Sequence, residues 1–143
     1  LLEQPNNKLL KQTLFLSTIA WLVSKYSQTK PQATDLSNAK QRILNIKELM
    51  ASIPEQEFSL IELAEMANLS QWHFLRQFKK HVGLSPHAWL IQARLQKSQK
   101  LLRQGLNLSE VSQQCGFSDQ SHFSRHFRQT FGITPGGYTA SLK

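Results

Sequence analysis

The 143-residue sequence has one cysteine, few turn-forming residues and no long apolar run. Because Cys115 is alone, a disulfide framework and a zinc site made of several cysteines are excluded. The longest nearly apolar run covers ten residues, 14–23, whereas a membrane-spanning helix needs about 20. Six glycines and five prolines interrupt the chain, and strand-like alternation is absent. Helical periodicity dominates, which predicts an all-α fold.

Acidic side chains are scarce in the second half of the sequence. Residues 70–143 carry ten basic and two acidic side chains, while residues 1–69 carry seven of each. The formal net charge of +8 is therefore confined to the second half. This asymmetry favours a polyanionic partner, nucleic acid ahead of a membrane surface. A solvated basic surface without a partner is the alternative.

Motifs of enzymes and metal sites are also missing. The sequence has no glycine-rich phosphate loop, no HExxH and no GxSxG. His122 and His126 have a spacing that can bind zinc, but no third ligand is close in sequence. Cys115 is interpreted as a small packing residue, with a redox sensor as the alternative. We predict that the protein is not an enzyme and that it binds no metal and no cofactor. A protein–protein adaptor is the alternative to a nucleic-acid-binding protein.

The N-terminal part has a different pattern from the rest. Residues 8–28 place apolar side chains around most of a predicted helix, so this helix needs cover on more than one side. The polar segment 27–37 is typical of a linker, and a further helix is predicted over 38–52. We predict that residues 1–37 are the helical tail of a preceding sensor or dimerisation domain plus linker, and that residues 38–143 form a second domain. A first helix that packs on the second domain itself is the alternative.

From residue 59 onward one pattern occurs twice, with shifts of 48 and then 49 residues. Each copy has a capping residue, a short helix, a tight turn, a longer amphipathic helix that ends at glycine, and a Ser/Thr-Pro helix start. The landmarks are Ser59, Asn68-Leu69, Ser70, Phe74, Phe78, Gly83 and Ser85-Pro86 in the first copy, and Asn107, Gly116-Phe117, Phe123, Phe127, Gly132 and Thr134-Pro135 in the second. Such a unit is a helix-turn-helix. A solenoid is the rival, although it usually needs about three repeats.

The longer helices are predicted over residues 70–82 and 118–131, and their outer faces carry no acidic residue. Arginine pairs with guanine, glutamine pairs with adenine, and apolar side chains contact thymine methyl groups, so both faces suit a DNA major groove. A helix over 86–104 joins the copies and spans roughly 28 Å. Neighbouring major-groove segments on one DNA face are about 34 Å apart. We therefore predict one chain that reads two adjacent segments of duplex DNA.

The second copy closely resembles the signature of AraC/XylS-type bacterial transcription regulators. The run from Gly116 to Arg128 (GFSDQSHFSRHFR), then Phe131-Gly132-Ile133-Thr134-Pro135 and Tyr138, carries the resemblance, which covers about residues 40–142. It implies a seven-helix domain with two helix-turn-helix subdomains and a linker helix, which binds promoter DNA and usually activates transcription. We accordingly predict a cytoplasmic regulator, RNA polymerase as a partner, and a homodimer formed through the N-terminal part.

The resemblance also implies which residues face DNA. Those that face bases are Trp72, Leu75, Arg76, Gln120, Ser121, Ser124 and Arg125. We predict phosphate contacts for Ser59, Gln71, Lys79, Lys80, Ser109, His122 and Arg128. Two positions depart from the family pattern. Leu75 is apolar where the family is commonly polar, and Thr139 follows Tyr138 where an arginine is usual.

Overall fold

The computed structural model describes residues 16–20 and 35–143. These residues form helices and no strand, as predicted. Residues 16–20 are helical and lie inside the predicted helix 8–28; the rest of that helix lies outside the described residues. Residues 35–143 form α1 (Asp35–Ser52), α2 (Leu60–Met66), α3 (Gln71–Val82), α4 (Pro86–Arg103), α5 (Leu108–Gln114), α6 (Gln120–Phe131) and α7 (Pro135–Ser141).

The repeat predicted from the sequence is present in the structure. Helix α5 follows α2 by 48 residues, and α6 and α7 follow α3 and α4 by 49. The caps also correspond: Gly83 and Gly132 end the two long helices with left-handed backbones, at φ +91° and +81°. The short and long helices of both helix-turn-helix units therefore have the same lengths and the same type of C-cap.

Helix boundaries differ from the prediction by a few residues. Helix α1 begins at Asp35, so residues 35–37 belong to a helix and not to the predicted linker. Helix α3 begins directly after Ser70, the predicted N-cap, whereas α6 begins two residues later than predicted because Asp119 is its N-cap; both caps have an extended backbone and accept a bond from the amide three residues on. Helix α4 ends at Arg103, with Gln104 as its C-cap.

Each helix-turn-helix unit packs around its own hydrophobic cluster, and α4 contributes to both. Leu90 belongs to the first cluster, while Ile91, Leu95 and Leu102 belong to the second. The paired phenylalanines of α3 and α6 are fully buried, as their spacing predicts. The first cluster consists of Ile43, Ile46, Met50, Leu63, Ala64, Ala67, Phe74, Phe78 and Leu90, and the second of Ile91, Leu95, Leu102, Val111, Cys115, Phe117, Phe123 and Phe127. The linker helix is therefore part of the core on both sides.

Candidate nucleic-acid interface

Helix α3 buries one side and exposes the side predicted to face DNA. Trp72 is 59% exposed and Leu75 is 39% exposed, although both are large apolar side chains. Arg76 is exposed too, and its guanidinium carbon lies 4.6 Å from the centroid of the Trp72 ring. Such a cation–π contact, worth about 0.5–1 kcal/mol at an exposed site, favours this position of the guanidinium before any partner binds. The outer face of α3 is thus an apolar and cationic surface in contact with solvent.

The C-terminal half of α3 is basic. Lys79 and Lys80 are exposed, and Gln71 is exposed at the other end of the helix. His81 Nε2 lies 3.2 Å from Gln77 Oε1. Burial, followed by the charges of Lys40 and Lys80, lowers the pKa of His81. The positive charge at this end of the helix therefore comes from the two lysines.

Helix α6 has the same inner side but a polar outer face. Gln120, Ser121, Arg125 and Arg128 are exposed, and Ser124 is half-buried. Asp119 directly precedes this helix, and its carboxylate accepts a 2.6 Å hydrogen bond from the His122 N–H. This cap was not predicted from the sequence, although Asp directly before an amphipathic run is a common N-cap. The hydrogen-bonding groups of α6 are therefore available on a face without a competing acid.

His122 is oriented differently from the other residues predicted to contact phosphate. Its Nε2 lies 3.0 Å from Nε2 of His126, and its ring packs edge-on against Phe117. Its Nδ1 is buried without a hydrogen-bond partner. The pKa of His126 is lowered by burial first, and then by the charges of His122, Arg125 and His87. The two imidazoles thus form a mutual contact against the helix-turn-helix core.

The serines predicted to contact phosphate lie at the starts of the two short helices. Ser59 is the N-cap of α2, and its Oγ accepts a 3.1 Å bond from the Glu62 N–H. Ser109 is an exposed residue in the first turn of α5, where Asn107 is the cap. Helix N-termini present free N–H groups and a partial positive charge, which suits a phosphate. The two short helices can therefore contribute backbone contacts next to the recognition helices.

The N-terminal end of α4 lies beside both long helices. His87 lines a shallow apolar groove together with Leu75 of α3. The charge of His87 also acts on His126 of α6 and lowers its pKa. Leu90 belongs to the first hydrophobic cluster, with the phenylalanines of α3, and Ile91 belongs to the second, with those of α6. The N-terminal half of the linker helix is therefore shared by the cores beneath both predicted DNA-facing helices.

Cys115, Trp89 and Tyr138 have structural roles. Burial raises the pKa of the Cys115 thiol to about 11, and the thiolate, not the thiol, is the reactive form; this favours the packing interpretation. Trp89 Nε1 donates to the Lys47 carbonyl at 3.1 Å, and Tyr138 packs on Phe127. In residues 16–20 and 35–143, no three His, Cys, Asp or Glu residues are grouped to hold a metal. No helix in the same ranges is long and apolar enough to cross a bilayer.

Comparison with known proteins places this geometry in a family. A family model described as a helix-turn-helix domain matches residues 63–141. The chain is 34% identical over 130 residues to the HTH-type transcriptional activator RhaR of Pectobacterium carotovorum. The matched region covers 90% of this chain and 45% of RhaR. The chain spans less than half the length of the curated relatives it matches.

Two solved structures have the same fold. The DNA-binding domain of AdpA, solved in complex with a target DNA, is 29% identical, with a TM-score of 0.66 over 70% of this chain and 91% of that one. A transcriptional regulator with an AraC-type DNA-binding domain from Chromobacterium violaceum is 28% identical, with a TM-score of 0.63 over 73% of this chain and 91% of that one. These relatives are DNA-binding regulators and not enzymes, in agreement with the sequence prediction. The two capped helix-turn-helix units and the shared helix between them are the family's architecture, and this chain belongs to the AraC-type helix-turn-helix DNA-binding domains.

Proposed function

We propose that α3 and α6 enter two adjacent major-groove segments of one promoter, and that the protein thereby activates transcription. The observation that carries this proposal is the pair of equivalent amphipathic helices whose exposed faces lack acidic residues and which each share a hydrophobic cluster with α4. Support comes from AdpA, whose domain of this fold was solved with a target DNA. The relative named as an activator, RhaR, supports activation over repression.

Each recognition helix has its own set of base contacts in this proposal. Arg76 and Arg125 each donate two hydrogen bonds to a guanine, and Gln120 pairs with an adenine. Trp72 and Leu75 contact thymine methyl groups, because both are apolar and exposed. Ser121 and Ser124, whose side chains are shorter than those of Arg and Gln, form further hydrogen bonds to base edges of the second segment.

Phosphate contacts come from residues at the edges of these faces. Phosphate contact fits the exposed positions at both ends of α3, at the C-terminal part of α6 and at the starts of α2 and α5. They are Ser59, Gln71, Lys79, Lys80, Ser109 and Arg128. His122 is left out of the set because its ring is directed to His126 and Phe117.

The remaining parts of the proposal concern the longer protein. The curated relatives are more than twice as long as the matched region, which fits a chain whose residues 1–34 are the helical tail and linker of a preceding sensor or dimerisation domain. We propose residues 35–143, from the start of α1, as the DNA-binding domain and the N-terminal part as the place of a homodimer contact. RNA polymerase as a partner, and action in the cytoplasm, follow from activation of a bacterial promoter.

Binding of fluorescent duplex DNA at increasing salt tests the proposal. Each phosphate contact changes the slope of log K against log salt by about −0.9. Replacing both Lys79 and Lys80 by glutamine should therefore flatten the slope by about 1.8 on specific and random duplexes alike.

Lys100→Gln is the control for the loss of one positive charge, and it is compared with the single replacements Lys79→Gln and Lys80→Gln, each of which should flatten the slope by about 0.9. Lys100 is exposed on α4 but lies beside residues 51–55, in a groove that none of the proposed contact residues lines. Its replacement should leave the slope unchanged. An affinity that stays flat between low and physiological salt, or an equal loss of slope in the Lys100 variant, contradicts the proposed interface.

A further inference from the structure

The segment between α1 and α2 touches the second helix-turn-helix unit as well as the first. Residues 53–57, named here the joint loop, follow α1 and turn back through a bond from the Gln56 N–H to the Ile53 carbonyl of 3.1 Å. One side of this loop faces α4, and its Glu55 backbone lies against the turn at Gly116. The joint loop is thus a contact between the two halves of the domain that does not run through the linker helix alone.

Two cations on α4 hold the joint loop. Arg94 is buried, and it donates to the carbonyls of Pro54 at 2.6 Å and Gln56 at 3.0 Å. A buried guanidinium needs such acceptors, since an unpaired buried charge is costly. Lys97 lies one turn further and joins the halves directly. Its Nζ contacts Glu55 Oε2 at 3.1 Å and the Gln114 carbonyl, at the end of α5, at 3.0 Å.

Gly116 shows how closely the joint loop meets the second unit. A Cβ at this position would lie 2.7 Å from the Glu55 carbonyl oxygen and 2.9 Å from the Glu55 Cα. The equivalent turn of the first unit has Asn68, also at positive φ (+56°). Both turns thus need a left-handed backbone, which asparagine tolerates, but only the second turn has a neighbouring backbone that excludes a side chain. The difference between Asn68 and Gly116 therefore follows from the contact between the units.

We propose that the joint loop is an orientation clamp, in which Gly116, Arg94 and Lys97 are positioning residues that fix the angle between the two recognition helices. This inference rests on the proposed function, since it specifies how one chain selects a single separation of its two DNA segments. The linker helix sets the distance between the units. The joint loop sets the rotation of the second unit against the first.

A distance measurement without DNA tests the clamp independently of DNA binding. Spin labels on Glu65→Cys and Gln113→Cys occupy equivalent exposed positions of the two short helices. Cys115 is buried and its thiol stays protonated, and an otherwise unmodified chain shows whether it takes up label. Pulsed EPR should give a narrow distance distribution for the chain that carries the two labels and no further replacement. Adding Gly116→Asn should shift or broaden it, because Glu55 and the turn must move apart.

Gly105→Asn is the matched control. Gly105 has φ +91°, close to the +88° of Gly116, but a Cβ there meets nothing within 4 Å. This control should keep the narrow distribution. Lys97→Met is the second test variant; it removes the bridge from Glu55 to Gln114 but keeps the apolar stem, and it should also broaden the distribution. A folded Gly116→Asn protein with an unchanged distribution overturns the clamp; if that variant does not fold, an unchanged distribution in Lys97→Met overturns it.

A DNA arm separates failure of the clamp from failure of the proposed function. Duplexes selected from a random pool are tested with their two segments at the selected spacing, with one base pair inserted, and with one segment alone. Engaging two linked segments raises affinity by about 10²–10⁴ when the geometry allows both. Gly116→Asn should lose on the order of tenfold at the selected spacing and bind one segment as before. If the unmodified chain binds duplexes with one and with two segments equally, the proposed function is contradicted. The EPR distances still test the clamp in that case, because they are measured without DNA.

Discussion

The two helix-turn-helix units share their inner residues and differ in their outer ones. Inside, Phe74 and Phe78 of α3 correspond to Phe123 and Phe127 of α6, and all four are fully buried. Outside, α3 exposes Trp72 and Leu75 and stacks Arg76 on the tryptophan, whereas α6 exposes glutamine and serine side chains. The same core thus supports an apolar recognition face in one unit and a hydrogen-bonding face in the other. Packing fixes the scaffold, and the exposed positions are free to set what is recognised.

The largest expected effects come from truncating the shared inner residues. Phe78→Ala and Phe127→Ala should each lower the free energy of unfolding by about 3–5 kcal/mol, because each leaves a cavity in a fully buried site. We expect one cooperative urea transition for both variants, since α4 contributes to both clusters. Far-UV circular dichroism follows all helices.

Tryptophan fluorescence separates the two units in the same experiment. In a Trp21→Phe background, the remaining tryptophans are Trp72 and Trp89, which lie on α3 and at the start of α4. In each variant, the circular dichroism signal and the fluorescence signal should change at the same urea concentration. If the fluorescence transition of Phe127→Ala lay well above its helix transition, the units would be independent and the shared role of α4 would be refuted.

Truncating the outer arginines should have a smaller effect, and on DNA binding alone. Arg76→Ala and Arg125→Ala should each cost about 1–3 kcal/mol on a selected duplex and relax base preference within one segment only. Competition with random duplex measures this preference, and Lys100→Ala is the control. Equal losses on selected and random DNA would mean that these arginines contact phosphates and not bases.

The smallest expected effect concerns pH and also distinguishes the units. His126 corresponds to Gln77 in the first unit, which does not titrate. Burial, His122, Arg125 and His87 lower the folded-state pKa of His126 below its usual 6.5. The unfolded chain therefore takes up a proton first as the pH falls, so stability is complete above about pH 6.5 and is lost as the pH falls through the lowered value.

His126→Gln should reduce this acid-induced loss. Urea midpoints at about pH 7.5 and about pH 5 measure the loss, and the variant should differ less between the two than the unmodified protein. His81 of the first unit also has a lowered pKa, so part of the pH dependence should remain. An unchanged difference between the two midpoints would show that His126 is not a source of it.

Much of this fold could be predicted because the repeat is visible at the level of caps and periodicity. Ser70, Gly83 and Gly132 mark helix ends through local backbone chemistry, and local chemistry can be inferred from short windows of sequence. The start of α6 was placed too early because Ser118 and Asp119 are both good capping residues, and Asp119 is the one that caps the helix.

Contacts between distant segments could not be inferred in this way. Arg94 meets Pro54 forty residues away, and Gly116 meets Glu55 across the two units. No local pattern marks such pairs. The available clue was that the first turn has an asparagine, Asn68, where the equivalent turn of the second unit has a glycine, Gly116. The orientation of His122 towards His126 was missed for a related reason, since helical spacing places both on one side but does not show which side is covered by Phe117.

A footprint of the chain on a selected duplex tests the central claim, that one chain uses both recognition helices together. Hydroxyl-radical cleavage of a duplex in complex with residues 35–143 reports which backbone positions are covered. The account predicts two protected segments about one helical turn, or 34 Å, apart, both appearing at the same protein concentration and at one chain per duplex. Protection of a single segment, or of a second segment only when a second chain binds, would contradict it.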